Sequence, residues 1–93
     1  MKIWKYELII DDIQKIEMPV GARGLTAQWQ QGKLCLWCMV DEDQPMEKRK
    51  VRIYGTGHGM EDFGEYIASN FSETYVGTFQ MHDGALVFHV FLI

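Results

Sequence analysis

The stretch Tyr75-Val-Gly-Thr-Phe-Gln-Met-His-Asp-Gly-Ala-Leu-Val-Phe-His-Val-Phe91 decides how this chain folds. Two strand-like runs flank Asp83-Gly84, a dipeptide that tolerates positive φ and suits a tight type I′ hairpin turn. Beyond the turn, Ala85 to Ile93 is apolar on both alternating faces. Leu86, Phe88, Val90 and Leu92 share one face; Val87, Phe91 and Ile93, with His89 among them, share the other. A strand buried on both sides needs a layer above it and a layer below. The expectation is a β-rich body and a partner, most simply a second copy in a homo-oligomer.

Outward from this hairpin, the chain keeps the period of a sheet. Trp4, Tyr6, Leu8 and Ile10 alternate with Ile3, Lys5, Glu7 and Ile9, as in a half-buried strand. Asp11-Asp12 turns the chain, and Ile13 to Met18 alternates again. Pro19 to Gly24 reads as a loop, with two glycines and a proline. Leu25, Ala27 and Trp29 then face one side, with Thr26, Gln28 and Gln30 on the other. Gln31-Gly32 turns into Lys33 to Val40, a second run apolar on both faces. Asp41 to Pro45 is a solvated loop, and Pro45 ends any ladder there. Lys48 to Gly55 is a strand with Val51 and Ile53 inward and Lys50, Arg52 and Tyr54 outward.

One helical pattern interrupts the strands. Phe63, Ile67 and Phe71 recur at four-residue spacing beside Tyr66, which predicts one short helix near residues 60–71. Glu61 and Asp62 suit its N-terminus, and Gly64 costs it about 1 kcal/mol relative to alanine, so packing has to hold it. The whole is a mainly β chain of about seven mostly antiparallel strands, in a small sandwich or partly open barrel. Residues 1–93 form a single domain in this reading.

Composition narrows the function classes. With 47% hydrophobic and 24% charged residues the chain is not of the disordered class. A net charge of −4 argues against nucleic-acid binding, although Lys48-Arg49-Lys50 and Arg52 form a local basic patch. Lys5 and Glu7 interrupt any signal-peptide core, and no run approaches the ~20 apolar residues of a membrane span. A cytoplasmic protein without membrane contact is expected. Cys35-Leu-Trp-Cys38 has C-x-x-C spacing, but mid-strand an interval of three sends the sulfurs to opposite faces. Independent reduced thiols are expected there, not a redox or zinc pair.

His58, His82 and His89 lack the spacing that brings imidazoles together, so no metal site is expected. His89 reads as a hydrogen-bonded core or interface residue. No nucleophile elbow, P-loop or paired carboxylates occur, so neither an enzyme nor a resident cofactor is expected. The strongest candidate site is Ile53-Tyr-Gly-Thr-Gly-His-Gly59, where glycines alternate with Thr56 and His58 between a strand and the helix. Such a turn exposes backbone N–H groups that attract phosphate or carboxylate oxygens. The expected ligand set is Arg52 for charge, Tyr54 for stacking, Gly55 and Gly57 for N–H donors, Thr56 beside them, and His58 as a hydrogen-bond donor. The alternative is that the glycines merely relieve a sharp reversal.

Ile16-Glu-Met-Pro-Val-Gly-Ala22, Leu34-Cys-Leu-Trp-Cys-Met-Val-Asp41, Ile53-Tyr-Gly-Thr-Gly-His58, Tyr75-Val-Gly-Thr-Phe-Gln80 and Gly84-Ala-Leu-Val-Phe-His-Val-Phe91 together carry a resemblance over nearly the whole chain. It resembles a family of small tailed-bacteriophage proteins of unassigned function. The resemblance implies a phage-encoded protein acting in the bacterial cytoplasm and transfers no catalytic residues. Two function classes follow. One is a non-enzymatic binder of a small anionic, nucleotide-like ligand, sequestering a host immune signal. The other is a protein-interaction module that inhibits a host protein or aids virion assembly.

Overall fold

The alternation in the first forty residues folds into a sheet whose central strand is the first of the two-sided apolar runs. In the computed structural model, which describes residues 1–93, β1 (Lys2–Leu8), β4 (Lys33–Val40) and β3 (Arg23–Gln30) form an antiparallel sheet in the order β1-β4-β3. A second antiparallel sheet runs β2 (Ile13–Pro19), β5 (Met46–Gly55), β7 (Leu86–Leu92), β6 (Tyr75–Met81). Both two-sided apolar runs therefore occupy interior strands, each flanked by neighbours in its own sheet. The expected mainly β architecture of seven antiparallel strands holds, as two stacked sheets without barrel closure.

The turns follow their sequence signals. Gln31 and Gly32 both take positive φ, 52° and 79°, and join β3 to β4 at the pair Gln30–Lys33. Asp83 and Gly84 do the same, with φ of 55° and 88°, and the Ala85 N–H donates to His82 O at 3.0 Å. His82 is left-handed too, so the ladder stops at Met81–Leu86 and four residues form the loop. Leu25 departs from its expected face: a bulge between Gly24 and Thr26 takes it out of the ladder and leaves it exposed.

The inner faces of both sheets meet in one core. Leu8, Met18, Ala27, Leu34, Leu36, Cys38, Val40, Val51, Ile53, Val76, Phe79, Val90 and Leu92 fill it. The sheets approach most closely where β3 meets β6. There Gly77 lies against the Ala27 backbone so tightly that a Cβ would stand 2.9 Å from its carbonyl oxygen. The Trp29 indole donates to Gln80 O across the same seam at 3.2 Å. At another border Arg49 donates to Ala22 O at 2.9 Å and to Ile93 O at 3.0 Å, the latter carbonyl also accepting the Lys50 N–H. Cys38 points into this core and Cys35 to the opposite face; both thiols are free. Burial pushes the Cys38 thiol up to about 11, with Arg49 acting in the other direction.

The outer face of β7 is covered from within the chain. The expected single helix is two: α1 (Gly64–Ser69) and α2 (Phe71–Thr74). They meet at Asn70, whose φ of −131° and ψ of 41° break the helix and whose amide donates to Tyr66 O at 2.9 Å. Ile67 of α1 packs on Tyr54 and Phe91, with Met60, Phe63 and Ile93 around them. Past the break, Phe71 stays 54% exposed, stacks on Tyr75 with ring centroids 5.1 Å apart and meets Phe91 only edge-on at 6.5 Å. The second cover that β7 requires is thus the chain's own helix, and this strand gives no reason to invoke another copy. No helix is long and apolar enough to cross a membrane.

Candidate functional site

The glycine-rich turn begins where β5 ends. The His58 N–H donates to Gly55 O at 3.1 Å, and Gly57 takes a φ of +86°, the signature of a type II turn over residues 55–58. Thr56 ties this turn to β7, since its N–H and its hydroxyl both donate to Val87 O, at 3.0 and 3.3 Å. The His58 imidazole folds back over Gly55, where a Cβ would lie 2.8 Å from the ring. Glycine at this position is therefore what lets the imidazole settle there. The turn and the start of β7 enclose a cleft of about 310 Å³ lined by Gly55, Thr56 and His58 on one side and Ala85, Leu86, Val87 and Phe88 on the other. No lysine or arginine lines it.

Two members of the expected ligand set lie elsewhere. Arg52 and Tyr54 project to the outer face, as their alternation requires, but α1 and its leading turn cover that face. Tyr54 is only 3% exposed. Its hydroxyl donates to Asp62 Oδ1 at 2.5 Å, and Arg52 Nε donates to Asp62 Oδ2 at 2.8 Å. Arg52 Nη1 donates to Asp12 O and Ile53 O, both at 2.9 Å, and the guanidinium sits 4.1 Å from the Tyr54 ring centroid. The Phe63 N–H completes the carboxylate's partners at 2.9 Å. Hydrogen bonds from Tyr54 and Arg52 hold the Asp62 carboxyl down at about 2, while burial and the Asp62 contact push Tyr54 up to about 12. Arg52 and Tyr54 thus fasten the exit of β5 to residue 62, and their charge and aromatic face are already engaged. Gly57 shapes the turn without lining the cleft. Nor does a helix N-terminus open on it, because α1 starts only at Gly64.

A polar ladder behind the cleft was not anticipated from sequence. His89 stands beside Tyr54 on β5 and Thr78 on β6. One ring nitrogen, Nε2, lies 2.7 Å from Thr56 Oγ1, and the other, Nδ1, lies 3.0 Å from Thr78 Oγ1. Thr78 Oγ1 is in turn 2.6 Å from the Tyr75 hydroxyl. His89 is thus hydrogen-bonded as expected, but on the partly covered outer face and not in the core. The signal was present: a turn centred on Asp83-Gly84 pairs Thr78 with His89 by counting outward.

Beyond the turn the surface is acidic. The Glu61 carboxylate folds over Gly59, and Glu61, Asp62 and Glu65 line a wider groove of about 670 Å³ with Met60, Gly64 and Tyr66. No group of three or more His, Cys, Asp or Glu side chains is arranged to hold a metal ion. No curated protein and no solved structure matches the chain. A family model does, over residues 1–93, and the chain therefore belongs to the domain of unknown function family DUF7352.

Proposed function

We propose that the protein is a non-enzymatic binder of a small nucleotide-like ligand, received by the cleft between the 55–58 turn and the start of β7. The observation that carries this reading is the convergence of Thr56 and His58 with Leu86 and Phe88 around about 310 Å³ of concave surface. That volume lies at the small end of ligand sites, which run from roughly 300 to 1,000 Å³. An apolar wall opposite a few polar groups suits a flat ring with a hydrogen-bonding edge. In the phage setting implied by the resemblance, such a binder acts in the bacterial cytoplasm by sequestering a nucleotide signal of host defence.

The test is a thermal-shift and calorimetry screen against nucleosides, linear and cyclic nucleotides and ADP-ribose-type compounds. A true ligand at 100 times its Kd adds about 2.7 kcal/mol of stability, which the screen resolves. Thr56→Val and His58→Ala should weaken binding at least tenfold while the melting temperature stays within a few degrees. Absence of a shift with every compound overturns the reading.

A second reading, an interaction module, draws on the other sheet. Ile3 and Met39 are register partners on its outer face and stay 62% and 38% exposed, beside the half-buried Trp37. This face suits self-association into a homo-oligomer or docking of a host protein.

A further inference from the structure

We infer that the cleft reads the uncharged edge of its ligand, a nucleobase or nucleoside, and not a phosphate, with His89 as the positioning residue that fixes how Thr56 meets that edge. The inference rests on the proposal that the cleft binds a nucleotide-like molecule, and it specifies which part of the molecule is recognised.

Charge argues first against phosphate. The cleft contains no lysine or arginine, and Arg52 is already bound to Asp62 and two carbonyls. Glycine N–H groups alone can cradle an anion. Here, however, the Glu61 carboxylate folds over Gly59, with Glu65 beyond it, while Asp62 and Arg52 offset each other. A phosphate at the turn would meet that like charge with no cation at hand to offset it.

The hydrogen-bond ladder then defines what the polar side offers. Thr56 Oγ1 touches Val87 O, which can only accept, and His89 Nε2, which can do either according to tautomer. One order of donors uses every contact. Tyr75 donates to Thr78, Thr78 to His89 Nδ1, His89 Nε2–H to Thr56, and Thr56 to Val87 O. In the reverse order the Thr56 hydrogen goes to Nε2, and its contact with Val87 O is left unused. The full ladder therefore makes His89 the Nε2–H tautomer and leaves Thr56 one lone pair, an acceptor. Facing it across the turn, the His58 imidazole makes no hydrogen bond within the chain, so it brings one donor and one acceptor. An acceptor beside a donor, against Leu86 and Phe88, complements a planar ring whose edge carries an amino or imino N–H next to a ring acceptor.

Isothermal titration with adenosine, guanosine, cytidine and uridine, their 5′-mono- and diphosphates, and inorganic phosphate tests this. One nucleoside should bind with a Kd within threefold of its monophosphate, inorganic phosphate should not compete, and Kd should change less than twofold between 50 and 300 mM NaCl. Thr56→Val and His89→Ala should each weaken binding at least tenfold. His89→Gln, which keeps a donor toward Thr56, should restore it to within threefold of wild type. Nitrogen-15 imidazole spectra should report His89 as the Nε2–H tautomer. Competition by inorganic phosphate, or affinity that climbs tenfold with each phosphate and falls with salt, overturns the inference while leaving nucleotide binding intact. An Nδ1–H tautomer overturns the role given to His89. Failure of every nucleoside and nucleotide to bind removes the underlying reading itself.

Discussion

Asp62 gathers three donors, the Tyr54 hydroxyl, Arg52 Nε and the Phe63 N–H, and this gives the fold a pH signature. Its carboxyl is held at about 2 against an ordinary 3.8. A depressed carboxylate contributes its stability above the unfolded value and loses it as pH falls through the folded one. Tyr54, raised from 10.0 to about 12, behaves oppositely: its contribution is complete below 10 and lost between those values as pH rises. Cys38, raised by burial from 9.0 to about 11, adds to the alkaline loss, so the melting temperature should hold level from roughly pH 5 to 8.5 and fall on both sides. Asp62→Asn should shrink the acid limb, and melts recorded across pH check this. Tyr54→Ala removes a buried ring and should cost about 3–5 kcal/mol, so it reports folding and not binding. Alternation placed Arg52 and Tyr54 on the outward face of β5 correctly. It carries no information on what covers that face, because the Asp62 contact depends on how the chain returns over the sheet after the turn.

At the scale of elements, the hairpins were the most legible part. Positive-φ residues sit at Gln31-Gly32 and Asp83-Gly84 as their sequences require, and the turn fixes the β6–β7 pairs from Met81–Leu86 to Gly77–Val90, including Thr78 with His89, before a bulge shifts the last pair to Tyr75–Phe91. Less legible was the helix. Phe63, Ile67 and Phe71 share a stripe only if the helix is unbroken, and Asn70 breaks it with no glycine or proline to announce the stop. The two arrangements separate on truncation. Ile67→Ala should cost about 2–5 kcal/mol in urea denaturation, because Ile67 is buried on Tyr54 and Phe91. Phe71→Ala should cost well below that, since the ring is 54% exposed; equal losses would restore a single helix. The seam between sheets makes its own prediction. Gly77→Ala sets a methyl 2.9 Å from the Ala27 carbonyl, backbone that cannot swing aside, and should cost about 1–3 kcal/mol.

At the scale of the molecule, two strands apolar on both faces, β4 and β7, pose the same physical problem and meet it differently. The chain folds α1 over β7. Over the outer face of β4 it folds nothing comparable: Cys35 is buried among its neighbours, Trp37 is half-buried and Met39 is 38% exposed beside Ile3. Periodicity identified both strands but could not say which one the helix would cover, because that depends on connectivity between distant segments. A two-fold pairing through the β1-β4-β3 face would bury Ile3, Trp37 and Met39 against their own copies, which is the self-complementary geometry of an isologous dimer. Sedimentation at tens of micromolar should therefore give a dimer, and Met39→Glu should give folded monomers whose melting temperature falls only to that of the dilute wild-type protein, because the residue is already partly exposed. The ligand cleft is built from β5, β7 and the turn between residues 55 and 58, on the other sheet. Met39→Glu should accordingly leave nucleoside affinity unchanged. If the wild-type protein stays monomeric, exposed apolar residues on this face need no partner, since much of any folded surface is apolar. If instead Met39→Glu abolishes ligand binding together with dimerisation, the cleft is completed across the interface, and the binding and interaction readings become one.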